Sequence, residues 1–204
     1  MASFDRCCIG KKPRHDREEG FTLIEMMLAT GVSLVVLAIA GGILINSVRA
    51  QDNAAKVTLA GNTAQQIVRS VQAGVRNASA ITVISDPIAG TQLLLARGVG
   101  SDPALTAASC QAWYYSPVNG GAVFTKKTTP ASLIALPAGG PAGIWTLLGS
   151  GVTPADPVTG KVFNAPSGGR VELKFDVAAG SHPYVLINTT TYTSQTASIS
   201  SPCF

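Results

Sequence analysis

From Met26 to Ile45 the chain reads MMLATGVSLVVLAIAGGILI, twenty residues of which fifteen are apolar and none is charged. At 1.5 Å per residue such a run makes about 30 Å of helix, the thickness of a bilayer's hydrocarbon core. The run then thins to a stripe. Val57, Ala60, Ala64, Ile67, Val68, Val71, Val75 and Ala78 recur at spacings of three and four. Lys56, Asn62, Gln65, Gln66, Arg69, Gln72 and Arg76 occupy the other side, as on an amphipathic helix. No proline interrupts the chain between Pro13 and Pro87, so the pattern predicts one helix from about Thr22 to Asn77, roughly 80 Å long. Beyond Ser79 the period becomes alternating. Strands are expected at Ile81–Ile84, Gln92–Arg97, Gln111–Ser116, Ala122–Lys127, Ile144–Leu148, Arg170–Val177 and Tyr184–Thr193. Arg170–Val177 is the clearest, with Val171, Leu173, Phe175 and Val177 on one side and Glu172, Lys174 and Asp176 on the other. Pro117–Gly121 reads as a hairpin turn. The expected fold is α+β: one long N-terminal helix packed on the apolar face of an antiparallel, half-polar sheet.

Charge sharpens this picture. Only 13% of the 204 residues are charged, about half the usual share, while 46% are hydrophobic. That combination excludes a charged, disordered tail protein. The 12 Pro and 21 Gly, with many Ser and Thr, leave room for one span and not for a polytopic membrane protein. Lys11, Lys12, Arg14 and Arg17 precede the apolar run, and only Arg49 and Lys56 follow within the same reach, so the positive-inside rule predicts N-in/C-out. The net charge of +4 makes no nucleic-acid stripe. Arg49 and Lys56 share one side of the helix, but Arg69 and Arg76 lie about 200° around its axis.

Glu25 stands at the mouth of the apolar run. An ionisable group there is read by default as functional, with capping of the helix N-terminus as the local alternative. Around it, Glu19-Gly20-Phe21-Thr22-Leu23-Ile24-Glu25-Met26 resembles the cleavage and methylation signature of type IV prepilins and type II secretion pseudopilins. The resemblance covers the leader and about the first thirty residues after it. It implies a leader at 1–20 removed by a prepilin peptidase, cleavage between Gly20 and Phe21, N-methylation of Phe21, and a role for Glu25 in assembly. It divides the remainder into a membrane-spanning helix half at 21–48, an amphipathic half at 49–79 and an extracytoplasmic β-rich head at 80–204. The implied partners are the peptidase, other pilin or pseudopilin subunits, an inner-membrane assembly platform and, before assembly, membrane lipid. The implied location is the inner membrane first, then an extracytoplasmic or cell-surface filament. Gly41-Gly42 lies where many pilins carry a helix-breaking proline, and glycine weakens a helix by only about 1 kcal/mol. The long head resembles minor subunits more than the main filament subunit. An unassembled single-pass protein with a binding head, and a DNA-uptake pilin, remain the alternatives.

With the leader gone, Cys7 and Cys8 leave too, and Cys110 and Cys203 remain on the oxidising side. An even count there is expected to form one disulfide, an arrangement that also resembles many pilins. For catalysis the inventory is thin. His182 is the one histidine outside the leader, and a triad would need it paired with Asp176 and a nucleophile for which no elbow motif exists. Cys110, His182 and Cys203 lack metal-ligand spacing, so no cofactor, metal or enzymatic activity is expected. Asp86, Asp102 and Asp156 each precede a proline, which marks turn starts. The sequons at Asn77 and Asn188, and the Ser/Thr-rich stretch from Thr189 to Ser201, leave glycosylation open, with an exposed edge strand and tail as the simpler reading.

Overall fold

The computed structural model describes residues 20–98, 108–166, 168–194 and 201–204. The chain divides into two compact units, Met1–Arg49 and Ala50–Phe204, with the boundary inside a helix. That helix, α1, spans Leu23–Arg76 and passes unbroken through Gly41-Gly42. It ends where Asn77 turns its side chain back to donate to the Ala73 carbonyl. The carbonyl of Arg76 accepts from both the N–H and the hydroxyl of Ser194. Ala60, Ala64, Ile67, Val71 and Val75 form the buried stripe, while Val57, its first member, is exposed. Ala78 and Ser79, expected in the helix, instead open the first strand, because the chain must leave the helix axis to join the sheet.

Among the described residues nine strands follow α1. A five-stranded antiparallel meander holds β1 (Ala78–Asp86), β2 (Thr91–Gly98), β3 (Ser109–Ser116), β4 (Ala122–Thr128) and β5 (Thr146–Ser150) in chain order. The predicted turn at Pro117–Gly121 joins β3 to β4 through a short 3-10 turn, Val118–Gly120. A second antiparallel sheet is centred on β8 (Arg170–Ala179), with β9 (His182–Tyr192) along one edge. Two short strands, β6 (Val152–Pro154) and β7 (Phe163–Asn164), share the other edge of β8. The sequence offered no period for β6 and β7, which are three and two residues long.

The antiparallel head expected behind the helix is present. Among the described residues it comprises two sheets, and the half-polar alternation fails at the centre of the larger one, which is buried on both faces. Leu94, Ala96, Trp113 and Tyr115 join the helix stripe and the inward side of β8 in one core. Leu93, Leu95, Ala112 and Tyr114 point the other way, into a second core closed by Ile134, Leu136, Trp145 and Phe204. The segment between β4 and β5 and the residues around Cys203 therefore cover a face that would otherwise meet water. The Cys110–Cys203 bond, 93 positions apart in sequence, fastens that cover to β3.

Two joints set the spacing of the layers. The indole of Trp113 packs against α1, and its Nε1 donates to the Ser70 hydroxyl at 2.9 Å. A Cβ at Gly74 would fall 2.2 Å from the indole edge, so the helix backbone itself is the packing surface there. The second joint is Gln92, which is buried on β2. Its amide donates to the Gly160 carbonyl at 2.7 Å, and its oxygen accepts from the N–H groups of Val162 and Phe163 at 3.0 Å each. One side chain thus satisfies three backbone groups of the segment that leads into β7.

Gly61 lies in the same helix but has open space where a Cβ would go. Gly61→Ala is therefore expected to stabilise the protein by about 0.5–1 kcal/mol, through helix propensity and a less free unfolded chain. Gly74→Ala gains the same propensity but must displace a fully buried ring, a cost of about 1–3 kcal/mol, so its net effect is destabilising. Thermal unfolding of the two variants should shift in opposite directions, and a shared direction would refute this account of the contact. Gln92→Leu strands three backbone groups and is expected to cost about 2–4 kcal/mol. A drop in unfolding midpoint of under a degree would show that water takes over those bonds.

Candidate functional site

The candidate site is the start of α1. Gly20, Phe21 and Thr22 precede the helix and are exposed, Phe21 by 77%. Nothing lies within 4 Å of where a Cβ on Gly20 would stand, so no packing within this chain requires glycine there. Thr22 caps the helix: its hydroxyl accepts from the Glu25 N–H at 3.4 Å, and its carbonyl accepts from Glu25 and Met26. Thr22 and Glu25 have the Thr-x-x-Glu spacing of a capping box, a local signal that the sequence reading passed over. Glu25 thereby lies in the first turn, where a carboxylate is favoured by about 0.3–1 kcal/mol.

After Glu25 the helix surface is apolar on every side and uncovered. Met27, Leu28, Leu34, Leu37, Ile43 and Leu44 are each about two-thirds exposed, between 65% and 70%. Water does not tolerate a continuous apolar cylinder of this length, whereas lipid or packed helices do. α1 is the one helix among the described residues long and apolar enough to cross a membrane. The polar group at Thr30 is already satisfied, since its hydroxyl donates to the carbonyls of Met26 and Met27 at 3.0 Å. Such back-bonding lets a threonine sit in hydrocarbon without an unpaired donor.

Elsewhere the head offers little chemistry. Among the described residues no group of three or more His, Cys, Asp or Glu side chains could hold a metal. His182 Nε2, the nitrogen that would bond a nucleophile in a triad, is buried without a hydrogen-bond partner. Asp86 accepts from the N–H groups of Ile88 and Ala89. Asp156 accepts from the Val158 N–H and the Thr159 hydroxyl, bonds that hold its carboxyl below the usual range. Both aspartates open turns, as their Asp-Pro context predicted; Asp102 lies outside the described residues. A cavity of about 540 Å³ on the outer face of the main sheet, between Tyr114, Phe124 and Pro137, contains no cluster of titratable groups.

A family model for the prokaryotic N-terminal methylation motif matches residues 15–44. Searches of curated proteins and of solved structures give no significant match. The chain therefore carries the prepilin-type cleavage and methylation signature of type IV pilins and pseudopilins, joined to a pilin-like α+β architecture. The matched segment ends near the close of the apolar surface, so the head is characterised by its structure alone. Expressed in bacteria, the full chain should stay in the membrane fraction after alkaline carbonate washing. Val35→Arg, which adds about 2.5–3.5 kcal/mol to insertion, should lower that share. A wild-type chain recovered mainly in the wash would refute lipid as the first environment of α1.

Proposed function

We propose that the chain is a structural subunit of a type IV pilus or related pseudopilus, more akin to a minor than to a major subunit. One observation carries this reading. The prepilin signature leads without interruption into an uncovered apolar helix, and the same helix continues as the spine of a compact head. An anchor alone would need neither the signature nor the second, amphipathic half. On this reading a prepilin peptidase cuts between Gly20 and Phe21 and methylates the new amine. The subunit waits in the inner membrane with its head outside, and the assembly platform then draws it into a filament of like subunits. The head contributes shape and contacts and no catalysis.

Glu25 has a second role in this scheme beyond its place in the first turn. Cleavage leaves an ammonium on Phe21, which would be buried among apolar helices in a filament. An unpaired charge in such a setting costs several kcal/mol, and the Glu25 carboxylate of a neighbouring subunit supplies the opposite charge. The exposure of both residues at the helix start leaves them open to such a partner.

The reading is tested by co-expressing the full chain with a prepilin peptidase and recording N-terminal sequence and intact mass. The expected product begins at methylated Phe21, and Gly20→Val should block its formation. Glu25→Leu should be cleaved like wild type yet be recovered in sheared filaments at least about tenfold less, the equivalent of roughly 1.4 kcal/mol. A chain that keeps its leader beside an active peptidase would favour an unassembled single-pass protein. Wild-type incorporation of Glu25→Leu would leave processing intact but remove the charge-pairing role.

A further inference from the structure

The outer edge of β9 is an anomaly among the strands. It is eleven residues long, and among the described residues only β8 pairs with it. Long free edges normally carry lysines, internal prolines or bulges that repel another strand. β9 has no lysine, its one proline and its one register irregularity both fall at its start, at Pro183 and opposite Val177–Ala179, and no Asp, Glu, Lys or Arg occurs anywhere from Val177 to Phe204. Its sequence is instead rich in β-branched and aromatic residues, the types that pair best across strands. Such a row of backbone donors and acceptors is a ready template for another strand.

The side chains say which strand. Val185, Ile187, Thr189 and Thr191 face the core or are partly covered, while Tyr184, Leu186, Asn188, Thr190 and Tyr192 face outward. Tyr184, Leu186 and Tyr192 are each 60% exposed or more. The outward set is nearly symmetric about Asn188. If β9 pairs antiparallel with β9 of a second copy and Asn188 lies at the centre, Tyr184 meets Tyr192, Leu186 meets Thr190, and Asn188 meets Asn188. Each contact is aromatic with aromatic, apolar with β-branched, or amide with amide, pairings that stabilise neighbouring strands. The charges of the outer face are kept away from the seam. Arg170, Glu172, Lys174 and Asp176 all lie on β8 in register with Tyr192, Thr190, Asn188 and Leu186. Across the seam Lys174 would then stand three strand spacings from its own copy, about 14 Å, beyond the roughly 10 Å screening length at 0.1 M salt. We propose that β9 is an isologous interface through which two copies of this chain join their second sheets into one.

The direction of β9 restricts which copies can meet. Gly180, just before the strand, stands against the Lys56 side chain, and Ser194, just after it, bonds to Arg76. β9 thus runs from the Lys56 end of the helix towards its Arg76 end, in the helix's own direction. A two-fold axis at Asn188 reverses the second copy, so the seam joins copies of opposite orientation and not neighbours that point the same way. The inference is independent of filament assembly.

Cysteine cross-linking of the full chain in detergent tests it. Asn188→Cys alone should form an intermolecular disulfide under mild oxidation, because opposed residues of paired strands place their Cβ atoms about 4.5–5.5 Å apart. Tyr184→Cys or Tyr192→Cys alone should cross-link at least about tenfold less, since their separation across the seam is several residues. A mixture of the two should recover it. Asn188→Lys, which opposes two like charges on an exposed site, should abolish concentration-dependent dimers in sedimentation while its thermal unfolding stays at the wild-type value. Equal cross-linking from all three single cysteines, or a monomer at every concentration, would overturn the proposal. Dimers that survive Asn188→Lys would equally overturn it, by showing that another surface makes the contact.

Discussion

The head is organised by how closely α1 approaches the main sheet. Where Trp113 meets Gly74 there is no side chain between indole and helix backbone, and the Ser70 hydroxyl holds the ring in place through its N–H. The same closeness recurs at Gly149 on β5, where a Cβ would fall 2.3 Å from the Thr63 methyl and 3.2 Å from Ile67. Two glycines, one on each layer, therefore let Ile67, Val71 and Val75 reach the sheet without a gap. Interiors pack at crystal-like density, so an added methylene at either point would have to be absorbed by both layers. The second sheet joins the same core through Leu173, Phe175 and Val177, and inherits that spacing.

A sheet pressed this tightly on one face still has another. The chain covers it with the segment between β4 and β5 and with the residues around Cys203, whose described parts form no helix or strand, only turns and one isolated bridge between Ala138 and Gly140. Such cover has few backbone bonds of its own and depends on side chains and cross-links for its position. Tyr114 serves this purpose by packing against both Phe124 and Trp145, and Lys126 lies over the Trp145 ring. Where main sheet and second sheet meet, Gly121 takes a left-handed φ of 84°, and its carbonyl accepts from Gly151 and Val152. A side chain there would collide with the Val152 carbonyl, so at this point the two sheets meet backbone to backbone.

How much of this was legible depends on period. The helix was readable because its stripe repeats over five turns, and each of the seven expected strands has a counterpart, most plainly β8, where alternation runs through eight residues. β6 and β7 were not, since two or three residues cannot express a period and both owe their existence to the edge of β8. The burial of both faces of β2 was also hidden. Leu93-Leu94-Leu95 reads as part of an ordinary apolar strand, and the residues that cover its outer side carry no pattern at all. Gln92 looked like one polar strand residue among many, because its three bonds run to a segment about seventy positions away. The start of α1 was the opposite case. Gly20, Phe21 and Glu25 were named from a short motif, while the structure adds the local physics of Thr22 as cap and leaves Gly20 without any internal reason to be glycine.

The link between Cys110 and Cys203 has an implication for how the head is made. Every described strand of both sheets precedes Cys203 in the chain, whereas Cys110 lies on β3, the third of the five strands of the main sheet. The earlier sulfur therefore has no mate until β8 and β9 have been laid down and the chain has returned across the outer face. A head cut short anywhere in the second sheet would retain a lone thiol on β3 and an uncovered layer above it. The bond is in effect a seal that only a finished head can close, and a free thiol at Cys110 is the mark by which an unfinished one can be told apart.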